Sequence, residues 1–84
     1  MKAIWITEAK HLQDYNIYIE FNDGTSGEVD LKNKLNGPIF EPLRSIDFFK
    51  EFSINAWTIE WSNGADLAPE FLYDLVIAGK AVSS

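Results

Sequence analysis

Asp66 and Glu70 are the two residues whose type and spacing best suit them to act as catalytic carboxylates or metal ligands. They fall just before and just inside the last expected helix, where the helix dipole and free backbone amides stabilise a negative charge without any ligand. The pair is therefore read as an Asx turn plus helix-start electrostatics. A metal would need further ligands, and none is close in sequence. His11, the single histidine, lies between Lys10 and Leu12 in a polar stretch with no nucleophile beside it, and reads as a solvated loop residue. Asn22-Asp23-Gly24-Thr25 begins like a calcium loop but lacks the later ligands and the closing Glu, so it reads as a hairpin turn. No Gly-rich phosphate loop, His-Glu-x-x-His or Gly-x-Ser-x-Gly occurs. The expectation is a protein that is not an enzyme and has no catalytic, cofactor or metal residues.

The aromatic residues offer a different chemistry. Trp57 and Trp61 are four apart and, on a strand, would project from one face. Together they are expected to fill the core beneath the helices. The competing reading has one of the tryptophans cap an exposed aromatic patch for a partner, since Trp and Tyr dominate interface hot spots. Tyr18 lies on the polar side of its strand and Tyr73 near the polar side of the last helix. Tyr18, Trp57, Trp61 and Tyr73 are thus the candidate partner-binding residues.

The elements that must position these residues follow from periodicity. Residues 3–8 are rich in β-formers and read as a first strand, with the polar run from Lys10 to Asp14 as a connection. Tyr15, Ile17, Ile19 and Phe21 alternate with polar neighbours, the period of a strand buried on one face. Asp23-Gly24 supplies a hairpin turn, and residues 26–31 return with Val29 and Leu31 inward. Residues 32–44 hold breakers at Asn36-Gly37-Pro38 and Pro42, so turns and one helical turn are expected. Ser45 is placed to cap a short helix over residues 46–51, with Phe48, Phe49 and Phe52 putting three rings on or beside one face. A second strand region starts at Ile54 and continues through Trp57, Ile59 and Trp61, and Asn63-Gly64 forms a turn. Pro69 suits the first position of a helix whose apolar stripe is Phe71, Leu72, Leu75 and Val76, and Gly79 is expected to end it. Lys80 then sits where a positive charge suits the helix C-terminus, and residues 81–84 form a short tail. The fold class is α+β: a three-stranded antiparallel meander, a short helical connection, a further strand pair, and a C-terminal helix packed on the sheet.

Eighty-four residues make one small domain, spanning 1–84. Without cysteine, neither a disulfide nor a thiolate site can hold it, so its three Trp, three Tyr and six Phe must supply the core. No apolar run is long enough to span a bilayer and no signal peptide is evident, which points to a cytoplasmic protein. The net charge of −6 is spread evenly, with four bases against seven acids in residues 1–42 and three against six in 43–84. Nucleic-acid binders carry a basic stripe that neutralises phosphates. Nothing here clusters so, and direct nucleic-acid binding is not expected; a basic protein partner is compatible.

Nearly the whole chain resembles the small bacterial family called domain of unknown function 2442. The resemblance rests on Phe21-Asn22-Asp23-Gly24, Asp30-Leu31, Phe40-Glu41-Pro42-Leu43 and a Phe at 49 or 52. It continues with Trp61, Gly64, Asp66-Leu67 and Pro69-Glu70. Relatives often have a proline directly after the tryptophan; Ser62 stands there, which implies a less rigid turn. The resemblance implies the same α+β fold, with Asp23, Gly24, Trp61, Gly64, Asp66, Pro69 and Glu70 as structural motif residues. It also implies a habit of travelling with other modules, in two-protein pairs of toxin–antitoxin or regulatory character, or ahead of a helix-turn-helix segment.

The function expected on these grounds is a non-enzymatic protein-interaction module, the acidic partner of a small bacterial toxin–antitoxin-like or regulatory pair. One alternative is a small ligand-binding or enzymatic domain using Asp66 and Glu70. Another is a dimerising accessory piece of a DNA-binding regulator. An exposed sheet edge in so small a domain further predicts a homodimer when the partner is absent.

Overall fold

The computed structural model describes residues 3–82 except Asn36 and Ala56. Three antiparallel strands, β1 (Ile6–Gln13), β2 (Asn16–Phe21) and β3 (Ser26–Asp30), form a sheet in sequence order. A 3-10 helix (Pro38–Arg44) and a single α-helical turn, α1 (Ile46–Phe49), lead to a two-stranded sheet of β4 (Ser53–Ile54) and β5 (Ile59–Glu60). The helix α2 (Pro69–Val82) closes the fold against β3. The architecture is the expected α+β arrangement.

β2 explains the meander. Ile17, Ile19 and Phe21 are buried while Asn16, Tyr18 and Glu20 are half-exposed, so a one-residue slip would turn the core set outward. The β2–β3 turn is held by Asp23 Oδ1, which accepts the Thr25 amide at 2.9 Å, and by Gly24 at φ 89°, a conformation glycine adopts without strain. Val29 and Leu31 face inward as their alternation requires.

β1 departs from expectation at both ends. It starts at Ile6, because the backbone of the preceding residues bonds elsewhere: Asn22 accepts the Trp5 amide at 2.9 Å and donates its own side-chain amide to the Ala3 carbonyl at 3.0 Å. It then runs on through the polar residues 10–13, so the connection shrinks to Asp14 and Tyr15, with Asp14 at φ 48°. This half of β1 pairs with β2 yet exposes most of its side chains, so it carries no apolar alternation. His11 accordingly sits on a strand and not in a loop. Its Nε2 donates to the Asp14 carbonyl at 2.9 Å, and its ring lies edge-on to Phe49 at 6.0 Å.

The second half of the core is aromatic. Phe49 is fully buried, with Tyr15 at 5.1 Å and Trp61 at 5.7 Å between ring centroids, and Phe48 and Phe52 pack partly buried beside the core. Four residues suffice for α1 because this packing holds it. Ser45 makes no side-chain cap bond there; its carbonyl accepts the Phe48 and Phe49 amides. Pro69 opens α2 as expected, but the helix continues through Gly79 to Val82, so the tail expected from residue 81 is helical at its start. Ser83 and Ser84 lie outside the described residues, as do Met1 and Lys2 at the other end and Asn36 of the expected breaker. The inward face of α2 is Leu72 and Val76 flanked by Tyr73 and Leu75, whereas Phe71, assigned to the stripe, is exposed.

Candidate functional site

The segment from Ser53 to Trp61 holds the expected strand pair as a hairpin that reverses between Ile54 and Ile59. Asn55 Oδ1 accepts the amides of Trp57 at 3.1 Å and Thr58 at 3.3 Å, and the Asn55 amide donates to the Thr58 carbonyl at 2.9 Å. Trp57 therefore lies in a turn while Trp61 follows β5, and the two indoles do not share a face. Trp61 is 2% exposed and donates its indole N–H to the Phe49 carbonyl at 2.7 Å. Trp57 is 58% exposed. The joint reading of both as core residues is corrected for Trp57, and Trp61 lies too deep to meet a partner. Asn55 is the turn signal that alternation obscured.

Trp57 is nonetheless firmly placed. Its carbonyl accepts the Ile6 amide at 2.8 Å, tying the turn to β1. Its ring meets Trp5, itself 37% exposed, edge-to-face at 6.4 Å. Trp5 is fixed in turn through Asn22, which accepts its amide by the side chain and donates to its carbonyl by the backbone at 3.0 Å. Next door, the buried Thr58 donates its hydroxyl to the Leu67 carbonyl at 2.6 Å, and Glu60 bridges Asp66 through the backbone. Two exposed indoles thus sit on a backbone locked from several sides.

These ties enclose a groove of about 480 Å³. Ile4, Leu67, Ala68 and Pro69 give it an apolar floor, and Trp57, Asp66 and Glu70 contribute to its wall. The carboxylate pair and one of the tryptophans, singled out from sequence for two different reasons, come together here. Asp66 does not cap α2: the Phe71 and Leu72 amides bond back to the Ala68 carbonyl, at 3.1 and 3.2 Å. Asp66 stands two residues too early to reach them. The side-chain turn bonds fall instead at Asp23, Asp30, Asn55 and Asn63, and none to Asp66 is seen among the described residues. Both acids are exposed. Among the described residues, no cluster of three or more His, Cys, Asp or Glu could hold a metal ion.

Neither tyrosine candidate lines the groove. Tyr73 is half-buried, packs edge-on to Phe21 at 5.1 Å and donates to Asp23 Oδ2 at 2.7 Å. The bonds from the Thr25 amide and the Tyr73 hydroxyl hold the Asp23 carboxyl below its ordinary value. Tyr18 donates to Glu20 Oε2 at 2.8 Å. Its bond with Ser26 pulls the phenol down, but the Glu20 bond and charge, with desolvation and the Glu8 charge, raise it on balance. A second groove, of about 380 Å³, lies near Tyr15, Lys32 and Arg44 and has the opposite charge character.

The sequence profile of the family described as "Protein of unknown function (DUF2442)" matches residues 6–78. The chain belongs to this family. No curated protein and no solved structure matches it. The DUF2442 motif residues divide by position in the fold: Asp23 and Gly24 make the β2–β3 turn, Trp61 anchors the aromatic core, and Gly64, at φ 91°, turns the chain toward α2. Pro69 starts that helix, while Asp66 and Glu70 stand at the groove. The ties of Trp5 to Asn22 and of Thr58 to Leu67, which fix the groove's geometry, join residues well separated in sequence, whereas Asn55 acts locally through Trp57 and Thr58. Among the described residues, no helix is long and apolar enough to cross a membrane.

Proposed function

We propose that this member of DUF2442 is a non-enzymatic protein-interaction module, the acidic partner of a small bacterial two-protein pair of regulatory or toxin–antitoxin-like character, acting in the cytoplasm. The observation that carries the reading is the exposed indole of Trp57, held on a locked turn beside Trp5 and at the wall of a groove bearing Asp66 and Glu70. A large aromatic ring fixed at the surface loses little freedom on binding, which is what makes such residues hot spots. The carboxylates and the net charge of −6 favour a basic partner by complementarity. When that partner is absent, the outer edge of β3, unpaired in the sheet order, offers a place for a two-fold homodimer.

Isothermal titration of the chain against the purified product of each flanking gene tests the proposal. The expected result is a saturable complex with one of them that Trp57→Ala weakens at least about tenfold. No complex with either, or a complex indifferent to Trp57→Ala, contradicts it.

A further inference from the structure

The Trp57 groove holds a specific combination: an apolar floor, an exposed indole, and two carboxylates, with no Lys, Arg or His in its lining among the described residues. We infer that it receives an arginine side chain from an extended basic segment of the partner. The inference rests on the interaction reading above and names what the groove recognises.

Each part of arginine has a counterpart. Its three-carbon stem suits the floor made by Ile4, Leu67 and Pro69. A guanidinium is planar and weakly hydrated, so it stacks on an indole better than a lysine ammonium does. Its fork of N–H donors matches carboxylates such as Asp66 and Glu70. An anionic occupant would gain from the α2 N-terminus, but Asp66 and Glu70 already place two negative charges there. A metal ion would need a tighter cluster than the described residues provide.

The groove is also built before any partner arrives. The Trp57 carbonyl is held by Ile6, the Trp57 amide by Asn55, and the Leu67 carbonyl by the Thr58 hydroxyl. Wall and floor are therefore fixed relative to each other by bonds that do not involve the exposed indole or carboxylates. Such preorganisation lowers the ordering cost of capturing one long side chain.

The test is an NMR titration of the full isotope-labelled chain with a capped pentapeptide carrying leucine on each side of a central arginine. Two further peptides replace that arginine by lysine or by citrulline, its neutral isostere. The arginine peptide should saturably shift the Trp57 indole N–H and the amides of Leu67 and Glu70, leaving the Trp61 indole in place. Citrulline should bind on the order of tenfold more weakly and lysine severalfold more weakly. The Asp66→Asn, Glu70→Gln double variant, its fold checked by circular dichroism, should lose the preference for arginine over citrulline. Equal binding of arginine and citrulline, shifts confined to the Tyr15, Lys32 and Arg44 groove, or no shift at all would overturn the arginine assignment. If Trp57→Ala still breaks the complex with the flanking-gene product, the interaction module survives that failure; if it does not, both readings fall.

Discussion

Trp57 and Trp61 lie four residues apart, the first in the hairpin turn and the second just after β5, and the chain uses them in opposite ways. Trp61 is enclosed by Phe49 and Phe52, with its indole N–H bonded to the Phe49 carbonyl. Trp57 keeps more than half its surface in solvent, though its backbone is bonded on both sides. The difference teaches where constraint falls. At Trp61 the side chain holds the fold and the backbone follows; at Trp57 the backbone is fixed and the side chain is presented. A residue of the first kind should be costly to remove and irrelevant to binding, and one of the second kind the reverse.

The largest effect should come from Trp61→Ala. Emptying a buried indole site typically costs about 3–5 kcal/mol, a large share of what so small a domain possesses. Urea denaturation should show the variant mostly or wholly unfolded. Trp61→Phe sharpens the point. It retains much of the ring but leaves the buried Phe49 carbonyl without its donor, an expected loss of about 1–3 kcal/mol.

Thr58→Val comes next and probes the boundary between the two regions. Thr58 is buried and its hydroxyl ties the turn to Leu67, so removing that bond should cost about 1–2 kcal/mol. Because Leu67 floors the groove, the variant should weaken arginine-peptide binding as well. Unchanged binding would show that the groove does not depend on this tie.

A smaller effect is expected in the β2–β3 turn, at Asp23. The folded Asp23 carboxyl titrates below its unfolded value, so its contribution is complete above the ordinary Asp value of about 3.9 and is lost as pH falls through the lower folded value. Melts from pH 5 downward should lose stability in that window, and Asp23→Asn should flatten that part of the profile. A variant profile parallel to the parent's would remove Asp23 from the account.

The division between the two tryptophans also marks what was legible in the sequence. Strict alternation in Ile17, Ile19 and Phe21, Asp23-Gly24 between strands, and Pro69 ahead of an apolar stripe announce the meander, its turn and α2, because each is a local signal with a single physical reading. Trp57-x-Ile59-x-Trp61 carries the same alternation and misled, because the Asn55 side chain builds a turn that moves Trp57 out of the strand. The polar half of β1 was missed for the converse reason: a strand with most side chains in water has no period to read. Of the candidate site, Trp57, Asp66 and Glu70 could be named from residue type. Their meeting in one groove depends on Ile6 bonding to Trp57 and Thr58 to Leu67, contacts that no sequence spacing reveals.

The most direct test of the central claim is Trp57→Ala measured twice, by urea denaturation and by titration with the arginine peptide. The substitution keeps the backbone bonds to Asn55 and Ile6 and loses the edge contact with Trp5, so stability should fall by about 1 kcal/mol or less. Peptide binding should fall at least about tenfold in the same protein. A loss of stability comparable to that of Trp61→Ala, or peptide binding equal to the parent's, would contradict the division of labour between the two tryptophans.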